Sequence, residues 1–169
     1  LLLDTVFIEL SKSELPHPEG QGLLVVLDKF NGYRSINKLM EKLFPYLIFN
    51  GNCQEALEFY KSVFKGKITK LQHFADAPIA SPAGAEDRIF DSEIVAENFT
   101  IKASDSMPGQ EISMGKNISL FLVFSETTQQ QSVYNALAES GTITFELNQQ
   151  SGFAMVEDQF GISWMLARK

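Results

Sequence analysis

Two carboxylates separated by one residue, Asp91-Ser92-Glu93, are a candidate for acid–base chemistry. On a strand, period two places Asp91 and Glu93 on one face and Phe90, Ser92 and Ile94 on the other. Two carboxylates held that close push their pKa values apart, which makes Asp91 and Glu93 the candidate catalytic acid and base; the same pair also suits the cationic group of a ligand. A solvated, exposed strand face is the plainer reading, and all three stay open at this point. His73 closes a strand-like run and is either an acid–base or ligand-binding group at a pocket mouth or a strand-end side chain bonded to solvent or backbone. Cys53 is the single cysteine and sits in the first turn of a predicted helix, where the dipole favours a thiolate. The sequence puts no His or Asn partner beside it, so it reads as structural. Phe49, Phe153, Trp164 and Met165 are the aromatic and soft apolar side chains suited to lining a hydrophobic pocket or to filling a core. His17, between Pro16 and Pro18, is given no role.

These groups need elements to position them. Tyr46–Asn50 reads as a short strand. Asn52 with Glu55 three residues later is a capping-box-like start, in which the Asn side chain satisfies an orphan N–H. The helix from 53 to 65 carries Ala56, Phe59, Tyr60, Val63 and Phe64 on one broad face, and Gly66 stands where a glycine just past a helix end belongs. Lys67–His73 reads as a second strand. A Pro/Ala/Gly-rich loop follows from about Ala75 to Glu86. Arg88–Val95 and Phe99–Ser104 read as a strand pair turning at Glu97-Asn98.

The same unit then recurs. Leu47, Phe49, Gln54, Gly66, Ile68 and Thr69 return as Leu122, Phe124, Gln129, Gly141, Ile143 and Thr144 at one offset of 75 residues. On that alignment Thr127 replaces Asn52 as helix cap and Tyr134 replaces Phe59. Glu97-Asn98-Phe99 lines up with Asp158-Gln159-Phe160 at 61, so the second copy has a shorter loop between its second and third strands. A unit with one amphipathic helix covers one sheet face only, so its other face is expected to be buried by the sister unit or by a second subunit. The expected layout is an atypical N-terminal extension (1–43), a first βαβββ module (44–105), a linker (106–116) and a second module (117–169). Within the extension, Asp4–Leu10 and Leu23–Phe30 are candidate strands, and Ser35 caps a short helix with Ile36, Leu39, Met40 and Leu43 on one stripe.

Composition narrows the class of partner. A net charge of −7 and a pI near 4.8 leave no basic patch for phosphates, so neither nucleic acid nor an anionic membrane is expected as a partner. No apolar run reaches the roughly 20 residues a bilayer span needs. Leu1-Leu2-Leu3 lacks a basic flank and is broken by Asp4, so it is not read as a signal peptide. One cysteine makes no internal disulfide, which fits a cytoplasmic setting.

The run Pro45-Tyr46-Leu47-Ile48-Phe49-Asn50-Gly51-Asn52-Cys53-Gln54-Glu55-Ala56-Leu57-Glu58-Phe59-Tyr60 resembles the opening of the PhnB-like branch of the vicinal oxygen chelate superfamily, the fold of glyoxalase I, bleomycin-resistance proteins and extradiol dioxygenases. Ser104-Asp105, Gly115-Lys116-Asn117-Ile118-Ser119-Leu120 and Asp158-Gln159-Phe160-Gly161-Ile162-Ser163-Trp164-Met165 resemble it too. The resemblance covers about 44–167 and implies an α+β fold: two tandem βαβββ modules forming a cup-shaped mixed sheet with helices on the outer face, often in a homodimer. It also implies a metal position on the first and last strand of each module. Those positions fall near Pro45, Ser104, Leu120 and Met165, which are poor ligands for a hard or borderline cation, so no metal is expected. The branch often shows His-x-Glu where this chain has Asp91-Ser92-Glu93. Some members carry the label of a demethylubiquinone methyltransferase. However, neither Gly20/Gly22 nor Gly109/Gly115 opens a helix as S-adenosylmethionine binding would require, and methyl transfer is not expected.

Three readings follow. The first is a metal-independent protein that binds a small, partly aromatic or cationic molecule in the cup, with Phe49, His73, Asp105, Phe153, Trp164 and Met165 as ligand-binding residues. The second is a glyoxalase-like lyase or isomerase that recruits a divalent metal through Asp91, Glu93, Asp105 and His73. The third is a structural homodimer with a vestigial pocket.

Overall fold

The computed structural model describes residues 42–113 and 115–169. The candidate strands Asp4–Leu10 and Leu23–Phe30, His17 and the helix expected from Ser35 lie outside the described residues. From there the order is β1 (Tyr46–Phe49), α1 (Cys53–Phe64), β2 (Lys67–His73), a 3-10 turn (Phe74–Asp76), β3 (Ile89–Val95) and β4 (Thr100–Asp105). The second half repeats it as β5 (Leu120–Phe124), α2 (Thr127–Ala138), β6 (Thr142–Asn148), β7 (Phe153–Glu157) and β8 (Ser163–Arg168).

Each half makes its own four-stranded mixed sheet, ordered β1-β4-β3-β2 and β5-β8-β7-β6. β1 pairs parallel with β4, and β5 with β8; the other pairs are antiparallel. The two tandem βαβββ modules expected from the resemblance are present, each as an open four-stranded mixed sheet with its helix. β1 and β5 each keep one edge without a strand partner among the described residues.

The apolar spacing of α1 explains what the halves bury. Cys53, Ala56, Leu57 and Tyr60 fall at i, i+3, i+4 and i+7 and are all buried. They share one core with Phe49, Ile94, Ile101 and Ala103 of the first sheet and with Phe124, Ala154, Val156, Trp164 and Leu166 of the second. At the junction the ring of Phe160, from the β7–β8 hairpin, packs 6.1 Å from Phe49, 5.6 Å from Phe59 and 6.1 Å from Tyr60. The modules are therefore two by topology and one by packing.

Several local expectations are corrected. Asn52 is the N-cap residue but makes no side-chain cap bond. The carboxylate of Asp105, at the end of β4, instead accepts from Gly51 N (3.0 Å) and Cys53 N (2.9 Å). Glu126, not Thr127, is the cap residue of α2. The left-handed residue ending α1 is Lys65 (φ 53), and Gly66 is needed for another reason: a Cβ there would sit 2.9 Å from the Val95 carbonyl oxygen.

The single offset of 75 also fails inside the helix. α1 starts four positions after β1 ends, and α2 starts three after β5. Counted from the helix start, Tyr134 stands at the place of Tyr60 rather than Phe59, and Val133 stands at the place of Phe59. At the hairpins, Ala96 N bonds Phe99 O as Asp158 N bonds Ile162 O, so Ala96 is the true counterpart of Asp158.

Candidate functional site

The sheet face turned away from each helix carries the candidate carboxylates of module one and their counterparts in module two. On β3 and β4, Ser92, Ile94, Ile101 and Ala103 point into the core, so Asp91, Glu93 and Lys102 share the opposite face. The one-face reading of Asp91 and Glu93 therefore holds in the structure. Each carboxylate has its own cation: Lys70 is paired with Asp91, and Lys102 Nζ lies 3.9 Å from Glu93. The Thr69 hydroxyl also donates to Glu93 at 2.7 Å. Tyr46 and Ile48 of β1 border this polar strip and are exposed.

The equivalent face of module two is apolar. The cross-strand pair Glu93–Lys102 has Met155–Met165 in its place, and Tyr46 opposite Lys102 becomes Phe121 opposite Met165. Phe153 takes the place of Asp91 and lies 5.6 Å from the ring of Phe145. Phe121, Val123 and Phe145 are each about half exposed, at 56%, 51% and 49%. One duplicated face thus carries paired charges, and its sister carries Phe and Met.

The structure separates the candidate site residues into two groups. Asp91, Glu93, Phe153 and Met165 lie on the open faces. Phe49 and Trp164 are each 1% exposed and lie in the shared core. Asp105 is also buried, with Ile89 N as the third backbone donor to its carboxylate at 2.8 Å. His73 is half-buried, paired with Ile89 at the end of β2, and opens the 3-10 turn. Cys53 is fully buried, and burial together with the charge of Asp105 pushes its thiol up to about 12 from 9.0, although a bond to Ser92 works the other way. A thiol so held is no nucleophile at neutral pH.

Asp158 is the residue that sequence reasoning missed. Its carboxylate accepts from Tyr60 OH (2.7 Å), Trp164 Nε1 (2.8 Å), Phe160 N (2.9 Å) and Ile162 N (3.0 Å). It ties the second module to α1 of the first while 4% exposed. The signal was present in the closing motif, where an acid precedes Phe160 and Trp164, but nothing local shows that Tyr60 completes the set.

The donor set does not fit the superfamily's metal. Of its four positions, Pro45 and Leu120 offer no side-chain donor, Ser104 a hydroxyl and Met165 a thioether. The alternative set is not gathered either, since Asp105 is engaged by backbone on the core side while Asp91 and Glu93 face out beside lysines. Among the described residues no three of His, Cys, Asp and Glu cluster as ligands. S-adenosylmethionine is not accommodated at the glycine-containing strand-to-helix turn, because the Gly51 and Cys53 N–H groups already serve Asp105. No helix among the described residues is long and apolar enough to cross a membrane.

Comparison with known proteins gives the family. The chain is 32% identical to protein PA1353 from Pseudomonas aeruginosa, over 77% of this chain and 98% of that one, with a TM-score of 0.70. It is 22% identical to a putative 3-demethylubiquinone-9 3-methyltransferase, PhnB protein, from Bacillus cereus, over 76% and 100%, with a TM-score of 0.65. A glyoxylase/bleomycin resistance protein/dioxygenase domain from Frankia shares the fold at 10% identity and TM-score 0.55, over 76% and 97%. The family model of 3-demethylubiquinone-9 3-methyltransferase matches residues 41–167. Duplicated modules, mixed open sheets and these relatives agree: the chain belongs to the 3-demethylubiquinone-9 3-methyltransferase family, the PhnB-like branch of the glyoxalase and bleomycin-resistance fold.

Proposed function

We propose that this protein binds a small molecule on its open sheet faces, without a metal centre and without transferring a methyl group. The observation that carries this reading is the contrast between the two duplicated faces. Paired carboxylates and lysines occupy the positions in one half that Phe153, Met155 and Met165 occupy in the other. Open faces so divided suit a ligand with an apolar, partly aromatic body and a polar or cationic group exchanging for Lys70 or Lys102 at Asp91 and Glu93. A second copy of the chain completes the cup by setting its own open face opposite, which also covers Phe121, Val123 and Phe145.

The test is a thermal-shift screen of aromatic amines on the purified, untagged chain, with calorimetry of any hit. Glu93→Gln is expected to weaken a hit about tenfold, the loss of one charge-assisted contact, and to move Tm by under about 2 °C, since exposed pairs contribute little. Unchanged affinity with a large fall in Tm would make the pair structural. Elemental analysis is expected to find less metal than one ion per chain; a tight stoichiometric cation would support the lyase or isomerase reading instead.

A further inference from the structure

Both modules carry the same irregularity, and it meets a carboxylate in one of them. Ile68 of β2 pairs with Ile94 and Lys70 with Glu93, so Thr69 is the extra residue of a β-bulge. β6 repeats the bulge: Ile143 pairs with Val156 and Phe145 with Met155, which leaves Thr144 over. The residue facing the bulge differs. In module two it is Met155, which offers no carboxylate. In module one the Thr69 hydroxyl donates to Glu93 Oε1 at 2.7 Å.

That bond makes the two carboxylates of the strip unlike. Lys70 donates a hydrogen bond directly to Asp91. Lys102 Nζ instead stands 3.9 Å from Glu93 Oε2, beyond hydrogen-bonding distance. It also lies 5.9 Å from the centroid of the Phe44 ring, within cation–π range. Glu93 is thus held by one oxygen and open at the other, and the ammonium beside it has a second resting place.

We propose, resting on the binding function inferred above, that Glu93 rather than Asp91 anchors a primary ammonium group, that Thr69 is its positioning residue, and that Lys102 is the group displaced. A hydroxyl on Oε1 fixes the carboxylate before the ligand arrives, so less freedom is lost when Oε2 accepts from it. Displacing Lys102 breaks no hydrogen bond to Glu93, and the Phe44 ring remains to receive its charge. Anchoring at Asp91 would break the direct bond from Lys70. A primary ammonium donates to Oε2, whereas a quaternary one has no N–H to offer.

The probe is benzylamine, with benzyltrimethylammonium for comparison, titrated into the isotope-labelled full-length chain at about 0.15 M salt, where distant charges are screened. Amide shifts along β3 and β4 give the Kd. Benzylamine is expected to saturate, with the quaternary ion about tenfold weaker. Thr69→Val is expected to raise the benzylamine Kd about fivefold, and Thr69→Ser to restore it. Thr144→Val, the same change at the duplicate bulge, leaves the Kd unaltered and shows how far Tm moves for the substitution itself. Glu93→Gln is expected to raise the Kd about tenfold, and Asp91→Asn by less than half as much. Lys102→Met, which removes the competing ammonium, is expected to lower it about threefold. Benzylamine that binds but responds more to Asp91→Asn than to Glu93→Gln, equally to Thr69→Val and Thr69→Ser, or not at all to Lys102→Met would overturn the proposal and leave the binding function standing. Shifts that stay linear in probe, or appear on neither open face, would overturn both.

Discussion

Two buried carboxylates set the character of this protein at the residue scale, and both are spent on the fold. Asp105 holds the start of α1, and Asp158 gathers Tyr60 and Trp164 across the junction. Each stands beside a buried weak acid. Burial, then the charge of Asp105, raises the Cys53 thiol to about 12, and burial, then Asp158, drives the Tyr60 phenol well above its ordinary 10.0. Both groups are therefore protonated in the folded chain at pH values where the unfolded chain ionises them. Their contribution is fully present below pH 9 and is lost as pH rises, at about 1.4 kcal/mol per unit for each titrating group. Urea unfolding is expected to show stability falling by about 2 kcal/mol between pH 9 and pH 10.5. In Cys53→Ala the onset should move up toward pH 10, where Tyr60 takes over. A profile that stays flat to pH 10.5 in the parent chain would contradict this account of the core.

At the scale of elements, the turns carry different loads from those that glycine statistics suggest. Lys65 takes the left-handed conformation that costs a side-chain-bearing residue about 1–2 kcal/mol. Gly141 has ordinary φ, yet a Cβ there would lie 2.4 Å from the Glu157 oxygen and 2.5 Å from the Leu137 oxygen, and neither backbone can yield cheaply. Lys65→Gly is accordingly expected to stabilise the chain by up to about 1 kcal/mol, the entropy of glycine offsetting part of the relief. Gly141→Ala should destabilise it by more than about 2 kcal/mol; thermal and urea melts of the two variants read both, and the opposite order would refute the assignment. These positions also show what the sequence made legible. Alternation along Asp91-Ser92-Glu93 predicted which side chains share a face, because strand period is a local property. The repeat predicted element order for the same reason. Asp105 capping α1 from β4, Asp158 bonding Tyr60 and the one-residue displacement of α2 were not legible, because each depends on contacts between segments far apart in the chain. The lysines opposite Asp91 and Glu93 were hidden likewise, since register between strands decides which charges meet.

The molecule as a whole is a duplication whose halves have diverged in opposite directions on their two sides. On the core side they have become interdependent: Phe160 and Asp158 of the second half complete the packing of α1 in the first, and a single cluster runs through both. On the open side they have become complementary, one charged and one apolar. Interdependence has a measurable consequence. If each half were stable alone, the second would open first, since α2 buries only Gln130, Val133 and Leu137, and Gln130 Oε1 has no hydrogen-bond partner among the described residues. Because opening the second half also strips Phe160 and Asp158 from Phe49, Phe59 and Tyr60, that step carries much of the cost of unfolding the first. Native-state hydrogen exchange should therefore give the central amides of β3 and β7 opening free energies within about 1 kcal/mol of each other, both near the global value. Asp158→Asn, which puts an amide donor among four donors, should lower the two together by about 2–4 kcal/mol. Exchange of β7 at a free energy well below that of β3, with only β7 responding to Asp158→Asn, would mean that the two halves fold as separate units despite their common core.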